Sequence, residues 1–226
     1  MRSAPPSSPK RVTAADAAAT VRRGDTVMVG GFGLVGKPLQ VVEALLDNPE
    51  ATELTVISNN LGEPGRGLGL LLRNGRIRKA IGSFFTSNPD AVRAHAEGWL
   101  EVELTPQGTL AEAIRAGGAG VAAFYIRTGV GTKIAEGREV RELDGVPHVL
   151  WPALQADVAL VRAKRADVLG NLVYEKTARN FNPDMATAAR TVIAQVDEIV
   201  DVGQLDPEQI VTPHILVDAL VATEGA

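Results

Sequence analysis

The chain has 226 residues, and 45% of them are hydrophobic, so it can bury the core of a globular α/β domain. Its net charge is −4 with lysine and arginine scattered, a composition that excludes the basic footprint of a nucleic-acid-binding protein. There is no cysteine, and His95, His148 and His214 lie far apart without metal-ligand spacing. We therefore predict no disulfide, no thiolate chemistry and no metal site.

The first eleven residues, MRSAPPSSPKR, are rich in proline and serine. They lack the apolar run of a secretory signal, and no stretch of the chain approaches the roughly 20 apolar residues of a membrane span. We predict that residues 1–11 form a disordered leader and that residues 12–226 form a single domain. The expected protein is cytoplasmic, with no membrane partner.

The first elements along the chain alternate between helix and strand. Thr13 is placed to cap a helix through AADAAATVRR, which Gly24 ends. Thr26–Val29 is a short β-branched run typical of a buried strand. A glycine turn follows, and Pro38 fits the first turn of the helix LQVVEALL. Leu54–Ser58 has the pattern of a second buried strand.

The pattern continues through the middle of the chain. Four further elements are predicted there: a short helix LGLLLRNG closed by Gly75, a strand at Ile77–Ile81, a helix through Val92–Glu97 and a strand at Leu100–Leu104. TPQGT is predicted as a turn. Thr109 would then cap the helix LAEAIRA, with Glu112 at the capping-box position.

The last part of the chain contains a hairpin signal. Arg138–Leu150 holds two short strand patterns around Asp144-Gly145, a dipeptide typical of tight hairpin turns. Asp157–Val161 is predicted as a strand, and a helix should start near Pro183, with another strand near the end of that segment. The fold class that follows is α/β, an open and mostly parallel sheet between helical layers, with a small antiparallel hairpin. Ligands of such sheets bind beyond the carboxyl ends of the strands.

Residues 31–36, GFGLVG, match the pattern G-x-G-x-x-G between a predicted strand and a predicted helix. A nicotinamide-binding turn would also need an acid at the end of the second strand, where this chain has Ser58-Asn59-Asn60. From the residues alone, three interpretations stay open: a dinucleotide site, a purely structural turn, and a site for another phosphate-bearing or backbone-read ligand.

Five blocks of sequence, in order, resemble the A (alpha) subunit of class I 3-oxoacid coenzyme A transferases. These blocks are GGFGLVGKP, ISNNLGEPGRGLGLLLRNGRIRKAIGSF, LEVELTPQGTLAEAIRAGGAGVAAFYIRTGVGT, REVRELDG and VTPHILVD, and the resemblance covers residues 12–221. The group includes succinyl-CoA:3-ketoacid, 3-oxoadipate and acetate/acetoacetate enzymes. The resemblance implies that the glycine segment contacts coenzyme A, whose pantetheine amides suit exposed backbone. The implied CoA-binding residues are Gly30, Gly31, Phe32, Gly33, Leu34, Val35 and Gly36.

The resemblance also implies a division of labour between two chains. Coenzyme A is a substrate and no cofactor is held permanently. A glutamate of a separate B subunit carries the covalent glutamyl-CoA thioester, so we expect an αβ or α2β2 assembly that is inactive without that partner. In this chain, Gln107 matches a family glutamine that supports the oxyanion. The further residues expected to line the site are Asn59, Asn60, Gly117, Gly118 and Gly120.

Departures from the family pattern leave the acid substrate open. Residues 83–92 diverge from the family block, Pro38 is followed by Leu39-Gln40 instead of glutamate, and Arg127 replaces a proline. We interpret Arg127 as solvated. Two other functions remain as alternatives, a nicotinamide-dependent dehydrogenase domain and a ligand-sensing protein of the same broad fold.

Overall fold

A computed structural model describes residues 9–223 as two β-sheets and six α-helices. In chain order the strands are β1 (Lys10–Arg11), β2 (Thr26–Val29), β3 (Leu54–Ile57), β4 (Ile77–Gly82), β5 (Glu101–Leu104), β6 (Ala123–Ile126), β7 (Val140–Leu143), β8 (Val146–Pro152), β9 (Ala156–Asp167), β10 (Leu172–Val173), β11 (Ala189–Val200) and β12 (Ala219–Ala222). The helices are α1 (Ala14–Ala18), α2 (Leu39–Ala44), α3 (Leu68–Arg73), α4 (Pro89–Ala96), α5 (Gln107–Gly118) and α6 (Asn182–Thr187).

The main sheet has the strand order β1-β12-β11-β9-β2-β3-β4-β5, and every neighbouring pair along this path is parallel. Strand β10 adds an antiparallel pairing to β9. The chain runs from β2 outward to β5 and then returns to β9 on the other side of β2. The boundary between β2 and β9 is therefore the topological switch point, where open α/β sheets bind ligands.

Apolar side chains cover both faces of this sheet. Alternate residues of β2 point to opposite faces, so Val27 and Val29 join the core under α1 to α4, whereas Met28 joins the core under α5 and α6. Leu71 of α3 and Ile114 of α5 represent the two helical layers, and both are almost fully buried. A sheet covered on both faces explains why its strands are continuous apolar runs in the sequence.

The predicted hairpin is confirmed as part of a separate antiparallel sheet with the order β6-β8-β7. Asp144 and Gly145 have φ values of 50° and 72° at the turn between β7 and β8. Positive φ at both central residues is the signature of the type I′ turn, whose twist matches that of the strands. The predicted fold class, an open and mostly parallel sheet with a small antiparallel element, is therefore confirmed.

Helix starts were predicted with mixed success. Thr13 caps α1 as expected, with a full capping box formed by Asp16. Thr109 does not cap α5, because that helix begins two residues earlier, at Gln107, after Pro106. Thr109 is instead buried in the first turn, and its hydroxyl has no hydrogen-bond partner in the described part of the chain. Glu112 forms an ion pair with Arg115 on the same helix and takes no part in a cap.

Three other boundaries differ from the prediction. Strand β9 extends to Asp167 because β11 pairs with it over most of its length. The helix near Pro183 spans only Asn182–Thr187, since the β-branched run that follows enters the sheet. The predicted disordered leader is wrong at Lys10–Arg11, which pair with β12. Residues 1–8 of that leader lie outside the described residues, and the single-domain assignment stays a prediction.

Within residues 9–223, no helix combines the length and apolar character that crossing a bilayer requires.

Candidate active site

Four loops meet where neighbouring strands of the main sheet end. They follow β2, β3, β4 and β5, whose carboxyl ends share one edge because the strands are parallel. Together these loops enclose a cavity of about 490 Å³. Its lining residues are Phe32, Gly33, Asn59, Asn60, Ser83, Phe84, Ser87 and Gln107. The structure therefore brings the predicted coenzyme A segment, the two asparagines and Gln107 to one place.

The glycine segment after β2 forms a tight, outward-pointing loop. The backbones of Phe32 and Val35 exchange two hydrogen bonds, of 3.0 and 3.1 Å. Gly31, Gly33 and Gly36 all have positive φ, a conformation that favours glycine. The loop leaves the side chains of Phe32 and Val35 more than half exposed, at 55% and 52%. Apolar side chains on a fixed loop at the switch point are suited to contact a ligand or a partner surface.

Two asparagines that the sequence analysis missed hold this loop from behind. Asn180 Oδ1 accepts from the Gly31 N–H at 3.0 Å, and Asn180 Nδ2 donates to the Val35 carbonyl at 3.1 Å. Asn182 is fully buried and its Nδ2 donates to the Gly36 carbonyl at 3.0 Å. Each amide has both a donor and an acceptor, so these two side chains can satisfy the backbone of the loop.

Lys37 lies fully buried beneath the loop. Its Nζ donates to Ser58 Oγ at 2.9 Å, and that hydroxyl donates onward to the Val29 carbonyl at 2.8 Å. Burial lowers the pKa of Lys37 to about 7, because the charged form loses its hydration. A Cβ at Gly31 would overlap the Lys37 side chain, so this glycine is required by packing.

Gln107, the first residue of α5, has a fixed side-chain orientation. Its Oε1 accepts from Asn59 Nδ2 at 2.8 Å and also from the Ser83 hydroxyl. With the amide oxygen held by two donors, Nε2 points away from them, and it forms no hydrogen bond within residues 9–223. The free amide group can therefore donate to an oxygen in the cavity.

Asn60 offers a second donor to the same cavity. Its Oδ1 accepts from the Gly62 N–H at 3.0 Å, which closes a local turn and leaves Nδ2 without a partner among the described residues. Asn60 is only 6% exposed, so its position is set by the surrounding protein. Asn60 and Gln107 are thus neutral amide donors at a cavity whose described lining residues carry no charge.

Gly117, Gly118 and Gly120 do not lie at this cavity. They lie at and just after the C-terminal end of α5 and line another cavity, of about 550 Å³, with Thr26 and Ala156 at the starts of β2 and β9. A Cβ at Gly117 would overlap the Leu154 carbonyl, and one at Gly118 would overlap Thr187. Close packing at the amino edge of the sheet explains these two glycines.

A third cavity lies on the other side of the glycine loop. Its volume is about 610 Å³, and its lining includes Phe32, Val35, Lys176, Arg179 and Asn180. Phe32 is the one residue that lines both this cavity and the one containing Gln107. The aromatic ring therefore stands between a basic cavity and an uncharged one.

Comparison with known proteins identifies the family of the chain. Residues 11–223 match the coenzyme A transferase family. The chain belongs to this family. Among its relatives is the A subunit of the succinyl-CoA:3-ketoacid coenzyme A transferase of Xanthomonas campestris pv. campestris (strain B100), 55% identical over 204 residues, which cover 90% of this chain and 84% of the relative. The A subunit of the 3-oxoadipate CoA-transferase of Pseudomonas putida is 48% identical, and the match covers 94% of this chain and 92% of the relative.

A solved structure shares the fold of this coenzyme A transferase. The acyl-CoA transferase of Escherichia coli O157:H7, in a thioester complex with CoA, superimposes with a TM-score of 0.88 over 99% of the chain, at 20% identity. The chain described here spans 52% of that longer chain. The resemblance identified from the five sequence blocks is thereby confirmed at the level of family and fold.

Family membership also weighs against the nicotinamide alternative. The backbone agrees with that conclusion, because the glycine loop folds back on itself and α2 begins only at Leu39, after Pro38. Arg127, whose role was open, is an exposed residue just after β6 and lines neither of the two cavities at the glycine loop.

Proposed function

We propose that this chain is the A subunit of a cytoplasmic, two-subunit 3-oxoacid CoA-transferase. It would move coenzyme A between an acyl-CoA and a 3-oxoacid or another short-chain carboxylic acid. The observation that carries the proposal is the meeting of the glycine loop, Asn59, Asn60 and Gln107 at one uncharged cavity. The relatives, which are named as the A subunits of such enzymes, support it.

In the first step of the proposed reaction, the B subunit supplies a glutamate carboxylate that attacks the acyl-CoA carbonyl. The C–S bond breaks, thiolate leaves and an acyl-glutamyl anhydride forms. The thiolate then attacks the glutamyl carbonyl, which releases the first carboxylic acid and leaves a glutamyl-CoA thioester. The second acid runs these steps in reverse. None of the described residues lining the cavity is a carboxylate, which supports a nucleophile supplied from outside this chain.

Gln107 would stabilise the tetrahedral intermediates of these steps. Negative charge develops on the carbonyl oxygen, and an amide donor already held in place needs no reorganisation when that charge appears. Asn59 and Ser83 supply this preorganisation by fixing Gln107 Oε1. Gln107 also stands at the start of the twelve-residue helix α5, where the helix dipole favours negative charge.

Coenzyme A in this scheme is a substrate, and its pantetheine arm would run along the loop from Gly30 to Gly36. The partly exposed backbone of Gly33 would supply partners for the pantetheine amides, and the ring of Phe32 would supply an apolar surface. Packing against Asn180, Asn182 and Lys37 keeps the loop in one conformation, which lowers the entropic cost of binding.

The test is reconstitution with the B subunit. The complex should exchange CoA between acetyl-CoA or succinyl-CoA and a panel of acetoacetate, 3-oxoadipate, acetate and butyrate, whereas neither subunit should be active by itself. Trapping the thioester with borohydride and locating it by mass spectrometry should modify a glutamate of the B subunit. An adduct on this chain, or transfer by this chain without its partner, would overturn the proposed division of labour.

A further inference from the structure

Phe84 occupies a fixed position on the wall of the cavity that contains Gln107. The backbone N–H groups of Ser83 and Phe84 both donate to the Asn59 carbonyl, at 3.2 and 3.1 Å. The next residue, Phe85, is 8% exposed and anchors the segment in the core, whereas Phe84 is 55% exposed. The same asparagine that holds Gln107 therefore also holds the backbone of Phe84, which places this residue beside the amide donors.

The cavity is lined by both polar and apolar side chains. Asn60 and Gln107 provide amide donors, and the rings of Phe32 and Phe84 provide apolar surface. None of the eight described residues that line it carries a charge. The cations Lys176 and Arg179 line the separate cavity beyond Phe32.

An acid bound with its reacting carboxyl group at the amide donors would extend its tail toward these rings. An uncharged tail gains from contact with them. In the complex, where the proposed B subunit would cover this open cavity, a second carboxylate placed there would lose hydration without a cation among the described lining residues to replace it, which is costly. The cost depends on length. The carboxylates of succinate are two carbons closer together than those of 3-oxoadipate, so a short diacid keeps both carboxylates near the amide donors.

We propose that Phe84 is a specificity-determining residue that selects carboxylic acids with short uncharged tails over long dicarboxylates. The proposal rests on the proposed function and deepens it. The preferred substrates are monocarboxylic 3-oxoacids and short fatty acids, with acetoacetate favoured over 3-oxoadipate. The segment that carries Phe84 is also part of the block 83–92, which departs from the family pattern.

The experiment measures kcat/KM of the reconstituted complex for acetoacetate and 3-oxoadipate, with acetyl-CoA as the common donor. The wild-type complex should prefer acetoacetate by at least about 30-fold, the loss expected for a buried charge without a partner. Phe84→Arg should reduce that preference at least tenfold, mainly through a lower KM for 3-oxoadipate, because the guanidinium pairs with the second carboxylate. Phe84→Leu keeps an apolar wall and should keep the preference.

Val121→Arg is the matched control. Val121 is an exposed apolar residue, 42% accessible, that follows α5 at the far end from Gln107, so the same charge change there should leave the ratio unaltered. If the Phe84→Arg chain fails to assemble with the B subunit, Ser87→Arg places a cation at the same cavity. It is judged by the same ratio of kcat/KM for acetoacetate to kcat/KM for 3-oxoadipate.

Two results would overturn the proposal. One is a wild-type complex that uses 3-oxoadipate as well as acetoacetate. The other is an active Phe84→Arg complex whose preference changes less than threefold. A complex that transfers CoA to no acid at all would instead contradict the proposed function. That outcome differs from a failure of the specificity proposal, because no CoA would leave the acetyl-CoA donor.

Discussion

Two glycine-rich segments of this chain look alike in sequence and differ in structure. Residues 30–36 form the loop at the carboxyl edge of the sheet, and residues 117–120 lie at its amino edge. In the first, three of the four glycines pack against other parts of the chain, but a Cβ at Gly33 would meet open space beside the exposed Phe32. In the second, Gly117 and Gly118 are pressed against other parts of the chain. Glycine content alone therefore does not identify a ligand site.

The difference arises from where each segment stands relative to the strands. Parallel strands bring all their carboxyl ends to one edge, so the loops after β2, β3, β4 and β5 can share a cavity. The end of α5 returns the chain to the opposite edge, because a twelve-residue helix is about 18 Å long. Gln107 and Gly118 are thus the two ends of one helix and belong to different surfaces.

The largest expected effect concerns the amine buried beneath the first segment. Burial holds the pKa of Lys37 near 7, below its ordinary value of 10.5. Between these values the unfolded chain keeps a proton that the folded chain has released, so stability rises with pH through this window. Lys37→Met should therefore raise the free energy of unfolding by an amount on the order of 4 kcal/mol below pH 7.

That advantage should shrink as the pH rises from 7 towards 10.5, because the folded wild-type chain then holds a neutral amine and the free energy of releasing the proton on folding decreases with pH. Urea unfolding of the wild type and of Lys37→Met between pH 6 and 10 measures the difference in their free energies of unfolding. Lys79→Met is the control, since Lys79 pairs with Glu101 and Glu103 and these carboxylates raise its pKa. The difference in free energy of unfolding between Lys79→Met and the wild type should be constant over pH 6–9. A Lys37→Met difference that is equally constant would show that the buried amine is not neutralised by folding.

The next effect separates the two ends of α5. Gln107→Ala removes the proposed oxyanion donor and should lower kcat of the complex by about 10²–10³, or roughly 3–4 kcal/mol, with little change in KM. Gln155→Ala is the matched control at the other edge, where Gln155 Nε2 donates to the Gly117 carbonyl at 3.0 Å. It should leave kcat unchanged and cost about 1 kcal/mol of stability. A kcat loss below threefold for Gln107→Ala would leave that residue a turn former.

A third change tests the packing role of the second segment. Gly117→Ala should destabilise the fold by about 2–3 kcal/mol, because its methyl group would overlap the Leu154 carbonyl and the backbone has to move. Gly120→Ala, which meets no atom within 4 Å but has a φ of 75°, should cost about 1 kcal/mol. Thermal unfolding of both variants measures the difference. A loss for Gly117→Ala no larger than that for Gly120→Ala would mean that the surroundings of Gly117 yield to the methyl group, so that overlap does not require this glycine.

Much of the fold was readable from the sequence because local signals and tertiary packing agree. Thr13 and the Asp144-Gly145 turn act within a few residues, so their chemistry is visible locally. The short strand β1 was not predicted, since Lys10–Arg11 become a strand only through their pairing with β12. The prediction that Thr109 caps α5 failed for a related reason. Threonine is a favoured N-cap residue, but here packing buries it in the core.

The site was predicted where its residues follow strands and missed where they act from a distance. Gln107 and Asn59 lie directly after β5 and β3, at the edge where a ligand was expected. Asn180 and Asn182 bind the glycine loop from far along the chain. The bond between Gly31 and Asn180 spans 149 residues, and the bond between Asn182 and Gly36 spans 146. No local sequence pattern reveals contacts over such distances. The burial of Lys37 was not predicted either, since nothing in its sequence neighbourhood indicates it.

The smallest effect concerns Gly33, the loop glycine with open space above it. Gly33→Val would place a branched side chain into the cavity beside Phe32 and should raise KM for acyl-CoA about tenfold, equivalent to roughly 1.4 kcal/mol. The native φ of 60° adds strain, so Gly75→Val, at a φ of 64° after α3 and with no atom within 4 Å, is the control for strain alone. Both variants should lose similar stability, and only Gly33→Val should lose affinity. If their KM values rise together, strain explains the glycine, and the loop would not be the surface along which coenzyme A lies.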